Sequence, residues 1–169
     1  MTSVAHDSSL SADTALRPVA SLVLGDIEVG PDVIMSFATP LWGFPDHHEY
    51  ALVPAAREGL WWLQSLTGEG VTFLLADPFV IDATYGVDLG DTERATLGIE
   101  QPTDALGLVM LTLPMDPTSG ATANFRAPIV FNLAKRKGMQ VVSRDDAHDL
   151  RHPVSLDVFP PQASGVRLQ

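Results

Sequence analysis

The residues best equipped for chemistry are the imidazoles and the carboxylates beside them. His47 and His48 lie in Asp46-His47-His48-Glu49, a run of metal-ligand residue types. Neighbouring side chains on a strand point to opposite faces, so the two rings do not converge on one ion, and a solvated turn is the expected reading. His148 and His152 have the i,i+4 spacing that a helix places on one face, which would suit a metal pair or a hydrolase assembled with Asp145 and Asp146. Pro153 follows at once, Arg151 adds unwanted positive charge, and the paired carboxylates read as an exposed turn. Nucleophile and phosphate-binding motifs are missing. There is no G-x-S-x-G elbow, no Walker A and no G-x-G-x-x-G, and Gly68-Glu69-Gly70 places an acid where a phosphate needs positive potential. The chain has no cysteine, which excludes disulfides, thiolate catalysis, cysteine-based zinc sites and iron–sulfur clusters. These residues point to no enzyme, no metal and no cofactor.

Aromatic and acidic residues fit protein recognition better. Trp61 and Trp62 are adjacent, so on a strand one would face the core and the other a surface, and Trp42 and Phe44 flank Gly43 nearby. An exposed indole is the kind of anchor that dominates interfaces. The formal net charge is −11, and it is unevenly spread. Between residues 77 and 116, Asp77, Asp82, Asp88, Asp91, Glu93, Glu100, Asp104 and Asp116 are opposed only by Arg94. Such a segment is a solubilising surface, and it can also steer a basic partner. Nucleic acid and anionic membrane would be repelled, so neither is expected as a partner.

The elements that would position these groups are mostly strands. Asp26-Ile27-Glu28-Val29 alternates polar and apolar, and Val33–Ala38, Tyr50–Val53 and Leu60–Leu66 continue as short apolar segments. Val71–Ala76 and Leu106–Leu113 are apolar at both parities, which predicts strands buried on both faces. Ile129–Leu133 and Met139–Val142 add two more, separated by Lys135-Arg136-Lys137-Gly138. One helix is predicted from Asp91 or Thr92, as cap, to Leu97, with Gly98 just beyond it. The fold class expected is mainly β: a small antiparallel β-barrel-like single domain with one or two short helices.

A chain of 169 residues with 46% hydrophobic residues fits one domain whose folding buries roughly two thirds of its surface. Residues 1–17 and 160–169 read as flexible tails around a domain at 18–159. No apolar run approaches membrane-spanning length and no basic-then-apolar start suggests secretion, so a cytoplasmic protein is expected. Self-repulsion favours a monomer.

Thr122–Asn132 (TANFRAPIVFN), followed by Lys135–Gln140 (KRKGMQ), resembles the signature of the FliW family of flagellar assembly factors. Gly25–Val29, Leu41-Trp42-Gly43-Phe44, Leu63-Gln64-Ser65, Ala76-Asp77-Pro78-Phe79 and His152-Pro153 fall in the family's order. The resemblance runs from residue 22 to about 155. Where the family usually has proline before the glycine of its turn, this chain has Trp42, and its N-terminal tail is longer than typical.

The resemblance implies a non-catalytic β-barrel-like protein that binds newly made flagellin in the cytoplasm and, alternatively, the RNA-binding repressor CsrA. Flagellin would occupy it and leave CsrA free to repress, and export of flagellin would release it to antagonise CsrA by an allosteric route. The acids Asp77, Asp82, Asp88, Asp91, Glu93, Glu100 and Asp104 would then meet basic surface on CsrA, with Trp42, Phe44 and Phe79 supplying apolar contact. Signature residues Gly43, Gln64, Ser65, Pro78, Asn124, Ala127, Pro128, Asn132, Gly138 and Gln140 have structural readings. The amides would tie neighbouring segments together, Pro128 implies an edge or bulge, and Gly138 suits a positive-φ turn. A barrel holding a small ligand at its mouth is the alternative of a different class.

Overall fold

Alternation of apolar side chains along the strands produces a barrel whose inward positions form one cluster. A computed structural model describes residues 15–116 and 118–161. The strands are β1 (Arg17–Ser21), β2 (Gly25–Val29), β3 (Ile34–Ser36), β4 (Glu49–Pro54), β5 (Leu60–Ser65), β6 (Thr72–Ala76), β7 (Leu106–Thr112), β8 (Ala121–Ala123), β9 (Ile129–Asn132), β10 (Lys137–Gln140) and β11 (His152–Val154). Two helices, α1 (Pro78–Ile81) and α2 (Asp91–Leu97), lie between β6 and β7. The strand order β7-β6-β5-β4-β3-β10-β9 closes through an additional β7–β9 pairing, giving a seven-stranded barrel, while β8 and β11 extend from β7. All these pairs are antiparallel except β3 with β10, which meet in parallel at Ser36 and Lys137.

Inward positions Met35, Tyr50, Leu52, Leu63, Leu75, Leu108, Ile129 and Phe131 are buried together with Phe37 and Leu41. Phe37 packs edge-on against Tyr50 and Phe131 at centroid separations of 5.1 and 5.9 Å. The barrel is thus filled by side chains, each fully buried aliphatic or aromatic contributing about 1.5–3 kcal/mol.

Outward positions are covered in three places. The β1–β2 hairpin places Val19 and Val29 over Ala51 of β4. α2 and Ile99 cover Val130 and Val141. Tyr85, Phe125, Val154 and Phe159 cover Leu60, Leu74, Ala76, Val109 and Leu111. This double burial explains the continuous apolarity of β6 and β7. Trp61 packs towards the interior cluster and Trp62 towards an outer one, as adjacent strand residues must.

Several local expectations shift. The helix cap is Gly90, ahead of both expected caps, Asp91 and Thr92, with the Glu93 carboxylate accepting its N–H. Gly98 ends α2 in the left-handed region at φ 67°. Gly138 is not a turn residue. The positive φ of that connection falls on Arg136, at 53°, and Gly138 sits inside β10 because a Cβ there would lie 2.5 Å from the Phe37 ring. Pro128 is on no edge, since β9 is paired on both sides and the proline simply precedes its first residue. Residues 1–14 and 162–169 of the expected tails lie outside the described residues. Within them, Arg17 already opens β1 and Pro161 bridges to Arg57.

Two buried tyrosines make opposite demands. Tyr85 donates to the Phe125 carbonyl at 2.9 Å, whereas the Tyr50 hydroxyl is buried with no partner among the described residues. Burial pushes the Tyr50 phenol up to about 12. Urea denaturation should find Tyr50→Phe neutral or stabilising and Tyr85→Phe destabilised by about 1 kcal/mol. Gly138→Ala should cost about 1–3 kcal/mol through the clash with Phe37.

Candidate protein-binding surface

The signature amides are the screws that hold the surface elements on the barrel. The side-chain amide of Asn132, on the outward face of β9, donates to the Leu97 and Gly98 carbonyls at 2.9 and 3.2 Å, and its oxygen accepts the Lys135 N–H. Lys135 and Lys137 add ammonium donors to the Gly98 and Thr96 carbonyls. The C-terminal end of α2 is therefore capped by side chains from the β9–β10 connection, where cations also suit its partial negative charge. Asn124 accepts the Ala127 N–H at 2.9 Å, shaping the approach to β9. Gln64 donates to the Ser65 and Gly68 carbonyls and accepts from Thr72, which closes the β5–β6 turn. Ser65 bonds His47 at 2.7 Å.

Trp42 occupies an exposed turn. Phe44 N–H donates to the Leu41 carbonyl at 2.9 Å, and Gly43 at φ 88° takes the third position, the geometry of a type II turn. Proline is favoured at the second position of such a turn, but here Trp42 uses its N–H to reach Gln140 Oε1 at 3.2 Å. Gln140 in turn donates to the Ala127 carbonyl. The indole is 57% exposed, whereas Phe44 packs edge-on to Phe73.

Phe79 is 55% exposed and lies elsewhere. The β3–β4 connection bearing Trp42 and the α1 corner that follows β6 are at opposite ends of the barrel, because each antiparallel hairpin reverses the chain. Asp77 caps α1, accepting the Phe79 N–H at 2.9 Å, with Pro78 in the first turn.

The predicted acidic residues likewise form no single sheet of charge. Asp77 and Asp82 sit at the α1 corner, and Asp91, Glu93, Glu100 and Asp104 lie around α2 and the short turn at Pro102–Asp104. Four of them are spent on local backbone: Asp77, Asp82 bonded to Thr84, Glu93, and Asp104 accepting the N–H groups of Gln101 and Glu100. Asp88, Asp91 and Glu100 are exposed and make no such bond among the described residues. Asp88 and Glu100 share a groove with Val87, Leu89, Ile99 and Ala105, beside Arg94.

Among the described histidines, His47, His148 and His152 pack against aromatic rings and His48 only makes a hydrogen bond. His48 reaches the Phe37 carbonyl at 3.4 Å while His47 turns to Ser65, so the two rings diverge. His152 stacks on Phe125 at 4.2 Å, and His148 lies 4.6 Å from Tyr85. The chain also brings Ser143, His148 and Asp145 together, which sequence order did not suggest. Ser143 Oγ meets His148 Nδ1 at 2.5 Å, but it also accepts the Asp145 N–H, and the serine is only 3% exposed. That grouping closes a turn rather than presenting a nucleophile.

The fold is thus a filled barrel whose signature residues fasten helices and turns to its outside. The FliW protein family model matches residues 19–154. Flagellar assembly factor FliW of Leptospira biflexa is 34% identical over 128 residues, covering 75% of this chain and 84% of that relative. The protein of the same name from Treponema pallidum is 32% identical over 145 residues, covering 86% and 96%. The crystal structure of the flagellar assembly factor FliW superposes with a TM-score of 0.75 at 32% identity, covering 86% of this chain and 99% of that one. The chain belongs to the FliW family.

Asn132→Ala removes the buried cap of α2 and should lower stability by about 1–3 kcal/mol in denaturant titration, with amide exchange rising first across Asp91–Leu97. The backbone bonds from Gln101 and Glu100 hold the Asp104 carboxyl below its usual 3.8, with Lys135 adding to them. A group so depressed stabilises the fold above its unfolded value and ceases to do so as pH falls through its lower folded value. Carboxyl NMR should give Asp104 a midpoint below 3.8, and Asp104→Ala should remove that part of the acid sensitivity.

Proposed function

We propose that this chain is a cytoplasmic flagellar assembly factor that binds flagellin and, in its absence, antagonises CsrA. It is a non-catalytic partner switch. The observation that carries the reading is the family match across nearly the whole folded region, whose names speak of flagellar assembly. Flagellin and CsrA themselves come from the family resemblance. Mutually exclusive or negatively coupled binding of the two is what the switch requires.

The surface is compatible with that role. The α2 groove offers Val87, Leu89 and Ile99 as an apolar floor and Asp88 and Glu100 as a negative rim. Asp91 extends the negative potential at the start of α2. A basic protein such as a translational repressor suits this rim, because steering by opposite charge speeds encounter. Trp42 and Phe44 at one end of the barrel and Phe79 at the other supply the apolar contacts, so the two partners can engage different faces.

Calorimetry with purified flagellin and purified CsrA should show a complex with each. A triple Asp88→Lys, Asp91→Lys, Glu100→Lys variant should bind CsrA with an association rate lowered about tenfold or more at low salt and little changed at high salt. Unchanged association at low salt sinks the assignment of the rim, and no complex with either protein sinks the function.

A further inference from the structure

The β1–β2 hairpin has two unequal edges. Pro18 of β1 stands opposite Glu28 of β2, and proline has no N–H to exchange, so this pair is one of the non-hydrogen-bonded type. The alternation then directs the N–H and C=O groups of Asp26 and Glu28 away from β1. Among the described residues none of these four groups has another backbone partner. The outer edge of β1 is blunted by Pro18, but that of β2 carries no proline or bulge.

What lies beside the open edge is apolar. A groove separates β2 from the barrel wall, lined mainly by apolar residues including Leu24, Ile27, Val53, Pro54 and Trp62, with Glu28 at its side. Ile27 and Val29 face the barrel while Asp26 and Glu28 are exposed. A strand laid along this edge would alternate in the same way, one parity over Trp62 and Val53 and the other beside two carboxylates.

We propose that the free edge of β2 is a strand-addition site for an extended segment of a partner protein in which apolar and basic residues alternate. Backbone pairing at Asp26 and Glu28 supplies affinity, the Trp62 groove selects the apolar parity, and the carboxylates select the basic one. The charge pattern decides against a second copy of this chain: edge-to-edge pairing would set Asp26 and Glu28 against their own kind on a molecule of net charge −11. The site uses none of the residues of the partner surface above, and it stands whichever partner proves to be the natural one.

The probe is the peptide acetyl-Lys-Val-Lys-Ile-Lys-Val-Lys-amide, with a glutamate-for-lysine version as control, added to the full chain. Amide exchange at Asp26 and Glu28 should slow about tenfold with the lysine peptide and stay unchanged with the control. Glu28→Pro removes one outward N–H at a position that does not bond β1 and should abolish binding. Asp26→Lys/Glu28→Lys should weaken it about tenfold and keeps the test valid if the proline variant fails to fold. The proposal is overturned by binding without protection at these amides, by binding that survives in a folded Glu28→Pro chain, or by no binding to the unaltered chain. Protection already present without peptide also overturns it, marking a second copy if it grows with concentration and the chain's own residues if it does not.

Discussion

Closure through β9 is the constraint on which the rest of this structure hangs. All four of its residues, Ile129 to Asn132, are buried and pair with β10, and the first three also pair with β7 on the other side. Ile129 and Phe131 point into the barrel, Val130 supports α2, and Asn132 caps it. One strand thereby joins the two ends of the sheet, completes the interior and anchors the principal surface helix. Its lack of any polar-facing parity follows from those three duties, and so does the need for an amide as its last outward residue. An apolar residue there would leave the Leu97 carbonyl without the side-chain donor it now has.

Around the closed wall the chain lays covers rather than a cleft. The hairpin, α2 and the group Tyr85, Phe125, Val154 and Phe159 each bury a patch of outward side chains, and grooves lie beside the hairpin and α2. The barrel interior is filled, and the features left facing solvent are these grooves and exposed side chains such as Trp42. The same logic assigns the histidines. Next to Phe125 and Tyr85, the rings of His148 and His152 contribute flat packing surface, and the hydroxyl of Ser143 secures a turn. Residue types that suggest catalysis in a list become packing once their exposure is known.

Period-two alternation made most strands legible, and the double-faced apolarity of β6 and β7 correctly announced burial on both sides. The helix at Asp91–Leu97 was legible from Gly98, whose left-handed conformation ends it. Gly138 and Pro128 were misleading because each was read by its local conformational preference. Gly138 is needed for the space its missing Cβ leaves to Phe37, a residue about a hundred positions earlier, and Pro128 stands at the mouth of a strand that closure makes central. The parallel contact between β3 and β10 was equally invisible, since alternation specifies faces and not neighbours.

The candidate surface was legible in composition and not in arrangement. Charge counting found the acids, but their carboxylates divide between capping nearby N–H groups and facing solvent, a division set by local turns. Sequence by itself determined that this is a cysteine-free, acidic, mainly β chain of the FliW type, because alternation and residue order are properties of the string. Only the tertiary structure decided that Trp42 and Phe79 stand at opposite ends, that Asn132 reaches back to Leu97, and that the outer edge of β2 pairs with no other strand among the described residues. Each of those facts depends on which strands meet across the barrel, and closure brings together residues that the chain keeps far apart.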